Sequence, residues 1–233
     1  MIKLVTEPVL EVIVVSVSDA IEARKGGANR LEVVRDLDHG GFTPSLELVG
    51  AIKREVDLPL RVMLRESVGY QTNSEEEIES LCAAVEQFAQ LGVDGVVIGF
   101  LKEDKIDLEL TGRVLASAPG LKATFHHAFE DAHNKFTAVR DIKRLSQVDR
   151  ILSSGGRGEL QQRSERLAGY AEAAGPELKV IAGGGIDMEA ISLLKRTTTI
   201  REFHVGRAAR AGFRVDGTVD AELVRSLVLR TVQ

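Results

Sequence analysis

Two adjacent histidines, His126 and His127, end a β-prone run over 122–125 and lead into Ala128-Phe129-Glu130-Asp131. Successive strand residues point to opposite faces, so only one of the pair faces whatever the strand lines. We assign His126 to the inside and send His127 outward to a helix layer or into the loop. A histidine at the C-terminal end of a strand can serve as a base or a metal ligand. His204, in Glu202-Phe203-His204-Val205, is placed in the same way. His126 and His204 are therefore the candidate metal ligands as well as candidate proton carriers. His39, in Asp38-His39-Gly40-Gly41, is a candidate lid residue, and His133 lies in a polar loop.

Glu11 and Glu32 interrupt apolar runs, Leu10-Glu11-Val12-Ile13-Val14-Val15 and Leu31-Glu32-Val33-Val34. A carboxylate in such a run is costly to bury unless it is paired or reaches water. Arg65, closing the run 60–64, is the natural partner. Two readings follow. Glu11, Glu32, Arg65 and His126 form an acid–base or metal-binding cluster, or they form a structural salt bridge low in the fold. The position of both glutamates near strand starts fits the second.

Glycine-rich turns form a third set. Gly183-Gly184-Gly185 precedes a helix, and Gly206-Arg207 follows a strand. Glycines let backbone N–H groups approach an oxyanion, and a helix N-terminus favours negative charge. Ser154 and Gly155, in Ser153-Ser154-Gly155-Gly156-Arg157, extend the same candidate anion site. The alternative is that these glycines only make tight turns. Cys82, the single cysteine, sits in a helical run and reads as a packed thiol.

Eight β-prone runs position these residues: 10–15, 31–34, 60–64, 95–100, 123–126, 150–152, 179–182 and 202–205. Helical segments alternate with them over 20–25, 45–56, 74–91, 108–116, 136–145, 160–174, 187–196 and 220–231. A lead-in segment is expected over 4–9. Strict alternation predicts a single-domain α/β (β/α)₈ TIM barrel over 1–233, with its core at 10–206 and a C-terminal helix at 220–231. An open doubly wound sheet is the rival. Even spacing favours closure. In a barrel, the chemistry belongs at the C-terminal ends of the strands.

Composition narrows the partners. Trp is absent and aromatics are 4%, so the core is aliphatic. The net charge of -5 is spread along the chain, which does not suit nucleic acid or an anionic membrane. No run is long and apolar enough to cross a bilayer. A lone cysteine and the absence of a secretory leader point to a reducing compartment, the cytoplasm. A homo-oligomer, a dimer, is expected.

Several motifs together resemble the CutC family, named for copper homeostasis. They are Leu10-Glu11-Val12, Gly26-Gly27-Ala28-Asn29-Arg30-Leu31-Glu32, Gly40-Gly41-Phe42-Thr43-Pro44-Ser45, Val62-Met63-Leu64-Arg65, Thr124-Phe125-His126-His127-Ala128-Phe129 and Ile151-Leu152-Ser153-Ser154-Gly155-Gly156. Gly95-Val96-Val97-Ile98-Gly99, Gly183-Gly184-Gly185 and Glu202-Phe203-His204 complete the match. The resemblance implies a TIM barrel and copper as the metal. This chain departs from the family pattern by holding Ile13 and Val34 where cysteines are usual. Two functions stay open. One is a cytosolic copper-homeostasis protein that binds copper or another metal ion. The other is a lyase, isomerase or hydrolase acting on a small phosphorylated or carboxylated metabolite.

Overall fold

The computed structural model describes residues 7–72 and 74–233. Eight parallel strands close a barrel: β1 (Val9–Val14), β2 (Arg30–Val33), β3 (Leu60–Met63), β4 (Gly95–Ile98), β5 (Lys122–Phe125), β6 (Val148–Ser153), β7 (Lys179–Ala182) and β8 (Glu202–Val205). Each strand pairs with the next in sequence, and β8 pairs with β1. The rival open sheet is thereby excluded. The helices are α1 (Val17–Gly26), α2 (Leu46–Glu55), α3 (Glu75–Gln90), α4 (Leu108–Ala116), α5 (Lys135–Ile142), α6 (Leu160–Ala174), α7 (Met188–Thr197) and α8 (Ala221–Val232). Residues 4–6 of the lead-in expected over 4–9 lie outside the described residues, and Val9 opens β1.

Strand alternation sorts the side chains. Leu10, Val12 and Val14 of β1, Val62 of β3 and Phe203 of β8 belong to the large core cluster. Their strand neighbours Glu11, Glu32, Arg61 and His204 occupy the opposite, interior face. Inside the barrel, Val34, Met63 and Val97 make a small separate apolar cluster. The barrel is thus greasy outside, under its helices, and largely polar within. Local signals end the helices. The Ser16, Ser74 and Asp187 side chains accept from Asp19, Glu77 and Ala190 N–H, and Gly27 closes α1 at φ 92°.

Two small elements have no counterpart in the sequence reading. Leu101–Lys102 and Lys105–Ile106 pair as an antiparallel hairpin beyond β4. Its turn is Glu103-Asp104, both at positive φ, with no glycine to advertise it. Ala128–Asp131 forms one helical turn directly after β5.

The segment after β8 is tied back to the start of the barrel. Arg210 is fully buried and donates to Asp19 Oδ2 (3.0 Å), Ile13 O (3.1 Å) and Gly217 O (2.6 Å). Asp19 Oδ1 accepts from Val219 N–H (3.1 Å).

Candidate functional site

The strand register sets the polar layers of the interior. Glu11 lies beside Arg30 on β2 and beside His204 on β8. Arg30 Nε donates to Glu11, and Arg30 Nη2 donates to Glu202 Oε2 (2.8 Å). Glu202 also accepts from Arg150 Nε (2.7 Å) and lies 3.2 Å from Lys179 Nζ. Arg150 donates on to Asp149, which accepts from Arg61 Nη2 (3.1 Å). This network closes the N-terminal end of the barrel. Burial alone would raise the Glu202 carboxyl, but hydrogen bonds from Arg150 and the charge of Arg30 outweigh it and hold it at about 2.

The expected pairing of Glu11 with Arg65 does not form. The partner is Arg30, which shares its strand face with Glu32. The same alternation that picked out Glu32 points to Arg30 two residues earlier. Nor are the glutamates at strand starts: each is the third residue of its strand.

Above this floor, Glu11 Oε1 meets His204 Nδ1 (2.7 Å), and His204 Nε2 faces Glu32 Oε2 (3.6 Å). Arg30 and His204 hold Glu11 well below the ordinary carboxylate range despite its burial. Burial lowers His204, but the charges of Glu32 and Glu11 and the Glu11 hydrogen bond raise it overall. Glu32 behaves oppositely to Glu11. Burial lifts it to about 7, with the Glu11 charge adding and the His204 charge opposing. Its Oε1 is buried without a hydrogen-bond partner.

A cavity of about 340 Å³ opens above Glu32 at the C-terminal end of the strands. His126, His204, Arg65, Gly184, Gly185, Gly206 and Arg207 line it. Ile13, Val34, Met63, Leu152 and Ile186 supply apolar wall. His126 is buried and held neutral, at about 3, by burial and then by the charges of His127 and Arg65. Its Nδ1 accepts from Ala128 N–H (3.2 Å), which places the ring proton on Nε2. Gly99 makes room for that ring: a Cβ there would stand 2.7 Å from His126 Nδ1. Gly184 and Gly185 have φ of 70° and 78°, and their amide N–H groups find no partner among the described residues.

His127 lies in the turn after β5, the loop alternative of its reading, where it lines the cavity and sits 3.5 Å from Glu130. Other expectations change. Ser154 and Gly155 are closed to an outside anion. Glu130 accepts from the Ser153 hydroxyl (2.9 Å), the Ser154 amide (2.6 Å) and hydroxyl (2.8 Å), and the Gly156 amide (3.2 Å), while Gly155 N–H goes to Ser153 Oγ. Burial raises the Glu130 carboxyl, but the neighbouring His127 and hydrogen bonds from Ser154 and Ser153 bring it to about 2. Gly183 N–H is used on Ser153 O (2.9 Å), so Gly183 braces the loop rather than lining the cavity. His39 and His133 are exposed, Gly40 and Leu37 rather than His39 reach the cavity, and Cys82 packs against the core. Tyr70, also on the wall, was missed; its polar loop has no periodicity to reveal it.

The CutC family model matches residues 8–209. The chain belongs to the CutC family. A CutC family protein of Xylella fastidiosa is 34% identical over 196 residues, 84% of this chain and 73% of that one. The human copper homeostasis protein cutC homolog is also 34% identical, covering 84% of this chain and 71% of the relative. The crystal structure of CutC from Streptococcus agalactiae superposes with a TM-score of 0.79 at 22% identity, covering 84% of this chain and 97% of that one.

The family name raises copper, and the residues of this member do not fit it. Both ring nitrogens of His204 face carboxylates, and His126 keeps only Nε2. Ile13 and Val34 present carbon to the cavity where soft Cu(I) needs sulfur. No group of three or more His, Cys, Asp or Glu able to hold a metal occurs among the described residues.

Proposed function

We propose that this CutC protein is an enzyme that moves a proton on a small organic anion, with Glu32 as the acid–base group. Glu32 carries the reading: a carboxyl buried under the cavity, with one oxygen bare and a pKa of about 7. A base is most useful when it titrates near the working pH. His204 faces Glu32 from below and is itself held by Glu11. His126 Nε2–H, on the same cavity wall, would donate to oxygen that becomes negative as Glu32 takes a proton from carbon. Gly184, Gly185 and Arg207 supply N–H groups and positive charge for the anion at the rim. A part in copper homeostasis, as the human relative is named, would then come through the compound handled here rather than through a captured ion. The lone cysteine suits a cytosolic setting.

The test is solvent exchange. Small phosphorylated and carboxylated carbonyl compounds are incubated with the protein in deuterium oxide and followed by proton NMR. The expected result is loss of the α-proton signal of at least one compound with the wild-type protein and none with Glu32→Gln. Exchange at equal rates in the two proteins would sink the reading.

A further inference from the structure

The interior arginines divide sharply. Arg30, Arg61 and Arg150 each meet a carboxylate. Arg65, at the top of the β3 face that carries Arg61, meets none among the described residues. Among the described residues its side chain makes one hydrogen bond, Nε to Ser67 O (3.0 Å), which leaves both Nη groups without a partner there. The guanidinium is nevertheless fixed. Its carbon lies 5.1 Å from the Phe42 ring centre and 5.5 Å from that of Tyr70. The backbone beneath it is clamped on both sides. Thr43 N–H and Thr43 Oγ1 donate to Arg65 O (2.9 and 3.1 Å), and Arg65 N–H donates to Thr43 Oγ1 (3.0 Å). Gly40 leaves the Nη1 edge clear, since a Cβ there would stand 3.2 Å from it.

A rigid, half-buried guanidinium with two donors aimed into a cavity is built to receive something. Two parallel N–H groups match the two oxygens of a planar carboxylate. The rim at Gly184, Gly185 and Arg207 suits a second, rounder anion that accepts backbone N–H bonds. Building on the acid–base reading above, we propose that Arg65 is the carboxylate-recognition residue of the cavity, and that the ligand is a small carboxylic acid bearing a phosphate at its other end. Charge balance supports this pairing. Arg65 and Arg207 carry no ion pair among the described residues, and Glu32 is the carboxylate that lines the cavity with them. Neutralised by Arg65, the ligand carboxylate makes the neighbouring C–H a better acid for Glu32.

Three matched probes separate the groups: phosphoglycerate carries both, glycerol phosphate lacks the carboxylate, and glycerate lacks the phosphate. Calorimetric titration of the wild-type protein, Arg65→Gln and Arg65→Lys measures each affinity. Phosphoglycerate is expected to bind wild type about tenfold or more tighter than glycerol phosphate. Arg65→Gln erases that advantage and leaves glycerol phosphate unchanged, whereas Arg65→Lys keeps part of it as an unforked charge. Equal loss for phosphoglycerate and glycerol phosphate in Arg65→Gln, or no carboxylate advantage in the wild type, overturns the assignment. Because binding is read without turnover, the two ideas fail separately. A carboxylate advantage lost in Arg65→Gln, with no deuterium exchange in any compound, removes the Glu32 reading and keeps Arg65. Exchange that persists with no carboxylate advantage removes Arg65 and keeps Glu32.

Discussion

The floor and the cavity of this barrel use the same residue types on the same strand faces, and they treat charge in opposite ways. Arg30 sits below Glu32, Arg61 below Arg65, and Glu202 below His204. In the floor, each of these charges meets an opposite one within hydrogen-bonding distance. In the cavity, Arg65 has no carboxylate among the described residues, and Glu32 faces the His204 ring only at 3.6 Å and keeps one oxygen bare; bare atoms alone do not mark the cavity, since Arg61 and Asp149 keep some in the floor. An uncompensated charge in a partly dry site costs stability. A protein keeps such groups where their use outweighs the loss. Pairing therefore separates the charges that hold the barrel closed from those left for a ligand.

The largest expected effect lies in the floor. Arg30→Met leaves Glu11 and Glu202 each short of a cation and is expected to destabilise by about 3–5 kcal/mol in urea unfolding. A loss below about 1 kcal/mol would erase the distinction between floor and cavity. Next comes the Glu130 latch, which behaves like the floor although it stands beside the cavity. Glu130→Ala strands the Ser153, Ser154 and Gly156 donors and should cost about 1–3 kcal/mol. It also opens that loop, so inorganic phosphate should raise the melting temperature of the variant more than that of the wild type.

The two regions should also respond to opposite ends of the pH scale. Glu202 and Glu130, at about 2, lie below the ordinary 4.5, so their contribution is full above 4.5 and lost as pH falls toward 2. Glu32 is raised from 4.5 to about 7, so the native state holds a proton that the unfolded chain has released. Stability then declines as pH rises from 4.5 toward 7. His204, raised as well, adds to the decline on the alkaline side. Glu32→Gln mimics the protonated form and should gain about 1–2 kcal/mol on the wild type between pH 5 and pH 8, read by unfolding at each pH. An equal difference at both pH values would mean that Glu32 titrates normally. The smallest effect is expected at Arg65: Arg65→Gln should change stability by less than about 1 kcal/mol, because only the ring contacts and one hydrogen bond are lost.

The sequence reveals the barrel because eight apolar runs alternate with helices and because caps such as Ser74 and Asp187 are local signals. It also reveals which strand ends carry the cavity, since Glu32, Arg65, His126 and His204 break apolar patterns. It does not reveal pairing. Glu11 meets Arg30 and His204 through the β1–β2 and β1–β8 registers, and no spacing within one strand encodes a register between two. The Glu130 latch is hidden for the same kind of reason. Its donors lie 23 to 26 residues downstream, in the loop that looked ready for a foreign anion. His127 falls to the loop rather than to the helix layer because the strand ends at Phe125, and alternation no longer applies in the turn beyond it.

The Arg210–Asp19 tie has a consequence for how the chain is made. The two residues are 191 apart, and the seam they guard joins the first strand to the last. Synthesis delivers the N-terminal strand first, so β1 must wait with one edge bare until β8 and Arg210 have emerged. Closure is then a late step, and all eight strands and Arg210 must leave the ribosome before the barrel can shut.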